Sequence, residues 1–122
     1  MNSPVSLTRK DTLEAALGLD TAKRPAFLAP LAGYSDLPFR QLCHREGALL
    51  VTTELVSAAG VRHSGIQKSW RYLAIDPARE GKALIQLFGQ DVDDFLYAAE
   101  AILDHPVLGQ CWGIDINMGC PV

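Results

Sequence analysis

An α/β fold built on a parallel sheet is the class this sequence predicts, and three observations predict it. Short continuous apolar runs at residues 26–31, 49–53 and 82–89, with the alternating stretch 112–117, have the length and composition of strands covered by helices. Segments with helical spacing and their own caps stand between them, so strand and helix alternate along the chain. The polar exceptions, Glu54, Gln86, Asn117 and Cys120, fall at or near the carboxyl ends of the strands, where this class gathers its chemistry.

Size and charge set the bounds. A chain of 122 residues with 48% hydrophobic and 20% charged residues has enough apolar side chain for one core and no signature of disorder. Its formal net charge of -3 offers no basic surplus to advertise nucleic acid. Cys43, Cys111 and Cys120 form an odd set without paired short spacings, and His44, His63 and His105 fall in separate elements. We therefore expect no metal site and a reduced, cytoplasmic protein. No apolar run approaches the roughly 20 residues that a membrane helix needs.

Residues 1–24 are expected to form an N-terminal extension, polar except for a short amphipathic piece carrying Leu13, Ala16 and Leu17. Asp11 or Thr12 could cap that piece and Gly18 could end it. The first strand, residues 26–31, runs into Ala32-Gly33-Tyr34-Ser35-Asp36. Pro30 cannot donate a ladder hydrogen bond and Gly33 permits close backbone approach, so this strand end suits either a flat ligand or an ordinary strand-to-helix turn. Ser35 or Asp36 can cap the following helix, whose first turn holds Pro38 and which Gly47 closes.

The second strand, residues 49–53, is β-branched and apolar, and Glu54 stands where it ends, as a site residue or as an ion-pair partner. Ile66, Trp70 and Leu73 recur at helical spacing and predict one helix over about 64–73. Arg62, Lys68 and Arg71, with Trp70 and Tyr72 nearby, could touch a nucleic-acid backbone or simply form a solvated helix face. The third strand, residues 82–89, carries Gln86 in an apolar run. A buried amide there costs about 1–3 kcal/mol if unpaired, so it must find a protein or ligand partner. Asp91 caps the next helix, and Asp93 and Asp94 in its first turn suit the helix dipole rather than a catalytic dyad.

In the fourth strand Trp112, Ile114 and Ile116 alternate with Gly113, Asp115 and Asn117, giving one apolar and one polar face. The polar side chains must be satisfied, and the strand then breaks at Met118-Gly119-Cys120-Pro121. Cys120 is either a chemical group at a strand end or a small buried thiol. A sheet of four strands arranged this way leaves an edge open, as if the domain continued.

Four segments in this order resemble the tRNA-dihydrouridine synthase family. Ala29-Pro30-Leu31-Ala32-Gly33-Tyr34-Ser35-Asp36-Leu37-Pro38-Phe39-Arg40 is similar to the family's opening signature, with Leu31 in place of the usual Met. Thr53-Glu54-Leu55-Val56 is similar to its Thr-Glu-Met-Val, and Ile85-Gln86-Leu87-Phe88-Gly89 to its third strand. Asp115-Ile116-Asn117-Met118-Gly119-Cys120-Pro121 resembles its catalytic motif. The resemblance implies a (β/α)8 TIM barrel of parallel strands of which residues 25–122 are the N-terminal half, cut after strand four.

It further implies an enzyme that uses FMN and NADPH to reduce the C5=C6 bond of uridine in tRNA, with hydride going to C6 and Cys120 protonating C5. A thiol's ordinary pKa of about 8.5 keeps it mostly protonated at neutral pH, as a proton donor requires. Pro30, Leu31 and Ala32 would lie against the flavin, Gln86 would bond its polar edge, and Asn117 and Glu54 would face the substrate. The full-length protein is expected to be a monomer, and the isolated segment inactive. The alternatives are another FMN barrel, of the dihydroorotate dehydrogenase type, and a non-catalytic truncated binding module.

Overall fold

The computed structural model describes residues 15, 16, 18 and 24–119. Leu13 and Leu17 of the expected N-terminal piece, and Cys120 and Pro121 of the last turn, lie outside the described residues. The strands are β1 (Ala26–Leu28), β2 (Ala48–Thr52), β3 (Val56–Ser57), β4 (Lys82–Phe88) and β5 (Gly113–Ile116). The helices are α1 (Leu37–Arg45), α2 (Ala58–Ser64), α3 (Ile66–Leu73), the single turn α4 (Pro77–Glu80) and α5 (Val92–Leu103), with a 3-10 turn at Leu108–Gln110.

Every strand pairing is parallel: β1 with β2, both β2 and β3 with β4, and β4 with β5. Because β2 and β3 lie in succession along one edge of β4, they are two halves of one strand. The sheet then follows chain order from one side to the other. A doubly wound sheet reverses its order at a switch point, whereas a barrel adds each strand to the same side, so the described strands have the barrel arrangement.

The interruption between β2 and β3 has a simple cause. Thr52 pairs with Leu84 and Val56 with Leu87, so four steps on one strand match three on the other. One extra residue is thus accommodated at positions 53–55, a bulge that re-aims the side chain at its centre. Glu54 is that residue. The backbone N–H of Gln86 is not lost to the ladder, because it donates to Thr53 Oγ1 at 3.0 Å.

One face of the sheet is dry. Val51, Ala83, Ile85 and Leu87 pack with Val61, Leu73, Ala98, Ile102 and Leu108 in the buried core beneath the helices. Side chains alternate along a strand, so Gln86 lies on the opposite face from Ile85 and Leu87. The caps follow the sequence: Asp36 accepts from the Phe39 N–H at 3.1 Å to start α1, and Asp91 accepts from the Asp93 N–H at 2.8 Å to start α5.

Three expectations need correction. The first strand ends at Leu28 rather than 31, which frees Pro30 and Leu31 for the following loop. The second begins at Ala48 and continues, after its bulge, into Val56–Ser57. The helix expected over about 64–73 is α3, which starts at Ile66, and Gly65 at φ 84° separates it from a further helix, α2, that the apolar spacing did not show. Ser57 caps α2 by accepting from the Gly60 N–H at 3.0 Å, a signal hidden inside the strand-like Val56–Ser57 pair.

Candidate functional site

At the carboxyl ends of the strands, three loops carry the polar residues. The loop after β1 is a tight turn in which the Tyr34 and Ser35 N–H groups both donate to the Leu31 carbonyl at 2.9 Å. The Ser35 hydroxyl accepts from the Leu31 N–H at 2.9 Å, closing the turn from the other side. Gly33 adopts φ 81°, a conformation side chains disfavour, and its N–H donates to the Glu54 carboxylate. Glu54, only 6% exposed in the β2–β3 bulge, therefore reaches across to the β1 loop. Leu31 and Ala32 are exposed on that turn and Pro30 is half-buried.

The same turn is held from below. Arg40 donates from Nη1 to the Ser35 carbonyl at 2.7 Å, from Nη2 to the Ala74 carbonyl at 2.6 Å, and from Nε to Glu80 Oε2 at 2.7 Å. Glu80 uses its other oxygen to accept from the Asp76 N–H at 2.8 Å. The two side chains are 2% and 0% exposed, and each guanidinium nitrogen and each carboxylate oxygen of the pair has a hydrogen-bond partner.

Gln86 and Asn117 meet directly. Gln86 Nε2 donates to Asp115 Oδ2 at 2.6 Å, Asn117 Nδ2 donates to Gln86 Oε1 at 3.3 Å, and the Gly119 N–H donates to Asn117 Oδ1 at 3.1 Å. These hydrogen bonds link the middle of β4 to the residue that precedes Cys120. Gln86 is 5% exposed, so the partner its burial demanded is protein: Asp115 and Asn117. A cleft of about 420 Å³ opens beside Asn117, lined by Ala59, Phe88, Gly89, Gln90, Asp91 and Asp94.

The expected residues thus fall into two groups: Pro30, Leu31, Ala32 and Glu54 around the β1 loop, and Gln86 and Asn117 at the end of β4 and β5. Thr53 joins them, since it follows β2, precedes Glu54 and accepts from the Gln86 N–H. Cys120 lies outside the described residues. Asp115, Ser35 and the Arg40–Glu80 pair were not among the expected site residues; Asp115 carried a signal in its place on the polar face of the fourth strand, and Ser35 and Arg40 in theirs within the opening signature, whereas Glu80 carried none.

The basic cluster is partly engaged. Arg62 donates to Asp94 at 2.9 Å and Arg71 lies over the Tyr72 ring, while Trp70 packs against the core and tilts onto His105. Burial pushes the Cys111 thiol up from its ordinary value, away from the reactive thiolate. Among the described residues no group of three His, Cys, Asp or Glu gathers to hold a metal ion, and no helix is long and apolar enough to cross a membrane.

Comparison with known proteins shows the family. A family model described as Dihydrouridine synthase (Dus) matches residues 27–122. The chain is 41% identical over 105 residues to tRNA-dihydrouridine synthase B of Pseudomonas aeruginosa, covering 86% of this chain and 30% of that protein. It is 37% identical over 102 residues to a probable tRNA-dihydrouridine synthase of Aquifex aeolicus, covering 82% and 30%. With a Helicobacter pylori relative described in the same words it shares 38% over 101 residues, covering 81% and 29%. The chain therefore spans about three tenths of the length of the curated relatives it matches. No solved structure matches it.

Proposed function

The chain belongs to the dihydrouridine synthase family, and from that premise we propose that it supplies one wall of a flavin site at which uridine in tRNA is reduced to dihydrouridine. The observation that carries the proposal is the linked set Asp115–Gln86–Asn117–Gly119, which ties the third-strand segment around Gln86 to the segment that carries Cys120 in the sequence.

The residues present fit FMN. Leu31 and Ala32 offer exposed apolar surface on a fixed turn beside Pro30, suited to the face of a flat ring system. Gln86 has an amide nitrogen that donates one hydrogen to Asp115 and carries a second for a ring oxygen. When bound, FMN reduced by NADPH supplies the hydride. The protein's part is to hold the uracil between flavin and Cys120, with Asn117 and Glu54 facing the base and the Cys120 thiol delivering a proton to C5. A uridine inside folded tRNA must leave its stack to enter, which costs a few kcal/mol and favours flexible loop positions.

The dihydroorotate dehydrogenase type of flavin barrel would use a free pyrimidine. The relatives' described action on tRNA favours the first reading. The test is purification of the full-length protein. It should be yellow with FMN, form dihydrouridine in unmodified tRNA, and lose flavin retention on Gln86→Ala. A colourless protein, or Gln86→Ala with unchanged FMN affinity, contradicts the assignment.

A further inference from the structure

Asp115 has no assigned part in the site, yet the hydrogen bonds that leave it decide which atoms the site presents. A carboxylate can only accept, so the Gln86 amide must turn its nitrogen toward Asp115 Oδ2, at 2.6 Å. That leaves the Gln86 oxygen on the other side, where only a donor can meet it, and Asn117 meets it with Nδ2 at 3.3 Å. Asn117 is thereby turned with its oxygen toward the Gly119 N–H, at 3.1 Å, and that backbone group can only donate. The orientations of both amides are fixed from the two ends, by an obligate acceptor at one and an obligate donor at the other.

We propose that Asp115 is a positioning residue that sets the polarity of the Gln86 and Asn117 amides, so that Gln86 presents an N–H to a carbonyl oxygen of a flat heterocyclic ligand. The ligand clause rests on the proposed flavin function; the polarity of the amides does not. Without the carboxylate, Gln86 could flip and present its oxygen, which would repel a ring carbonyl and set the Gln86 amide nitrogen against Asn117 Nδ2. Local negative charge at Asp115 also makes its bond from Gln86 charge-assisted, the stronger kind.

A charge swap separates this role from simple packing. Gln86→Glu sets two carboxylates where the 2.6 Å bond stood, and should clearly lower the denaturant midpoint of the full-length protein. Adding Asp115→Asn supplies an N–H to the new carboxylate, which still accepts from Asn117, so the double variant should recover most of the midpoint. It should nonetheless bind FMN at least tenfold more weakly than wild type, because the carboxylate has no N–H to offer a ring oxygen. FMN binding is read by quenching of its fluorescence.

A double variant no more stable than Gln86→Glu alone, or a Gln86→Glu variant as stable as wild type, would overturn the polarity argument. A stable double variant that binds FMN like wild type would overturn the presentation of the N–H. Wild-type protein that does not bind FMN would refute the flavin function, while the two midpoints still decide for or against Asp115.

Discussion

The loops after β1 and after β5 face the same end of the sheet but are held by different means. The first is fixed from three directions, by the Ser35 hydroxyl within it, by Glu54 from the β2–β3 bulge and by Arg40 from beneath. The second is described as far as Gly119 and hangs from Asn117, while Met118 beside it is 92% exposed. The first loop is reached by two charged side chains, Glu54 and Arg40, and the second by the amide of Asn117, which is itself bonded to Gln86. A rigid platform after β1 suits a resident flat cofactor.

Breaking the first loop should have the larger effect. Arg40→Ala leaves Glu80 buried without its partner and strips a donor from the Ser35 and Ala74 carbonyls. Removing one member of such a pair typically costs about 3–5 kcal/mol, which denaturant unfolding of the full-length protein would measure. A loss below about 1 kcal/mol would mean that the first loop is no better held than an exposed surface segment.

In the second loop, Met118→Ala should change stability by no more than about 0.5 kcal/mol, the range of surface substitutions. A loss of several times that size would show that Met118 is packed, and the contrast between the loops would fail. Unfolding midpoints of the two variants, measured side by side, sharpen the comparison without any ligand.

Much of this arrangement was legible in the sequence, and the reasons differ residue by residue. Gln86 announced itself because an amide in an apolar strand needs a partner, and Asp36 and Asp91 because capping is local. Asp115 and Asn117 were placed on one face by their alternation, although that Asp115 would meet Gln86 depended on register between strands. The partners of Glu54 and Arg40 were not readable. Glu54 reaches Gly33 only because one extra residue is absorbed in the β2–β3 bulge, and Arg40 and Glu80 meet across forty positions. The helix Ala58–Ser64 was missed because its buried side is only Ala58 and Val61, a weaker signal than the spacing of Ile66, Trp70 and Leu73.

The central claim is that these strand ends form a reductase site whose proton comes from Cys120. Its most direct test is the dihydrouridine content of tRNA incubated with the full-length Cys120→Ala variant, FMN and NADPH. The variant should keep its flavin and oxidise NADPH, while dihydrouridine formation falls by about 10²–10⁴, the usual contribution of a general acid. Product formed at the wild-type rate would contradict the claim.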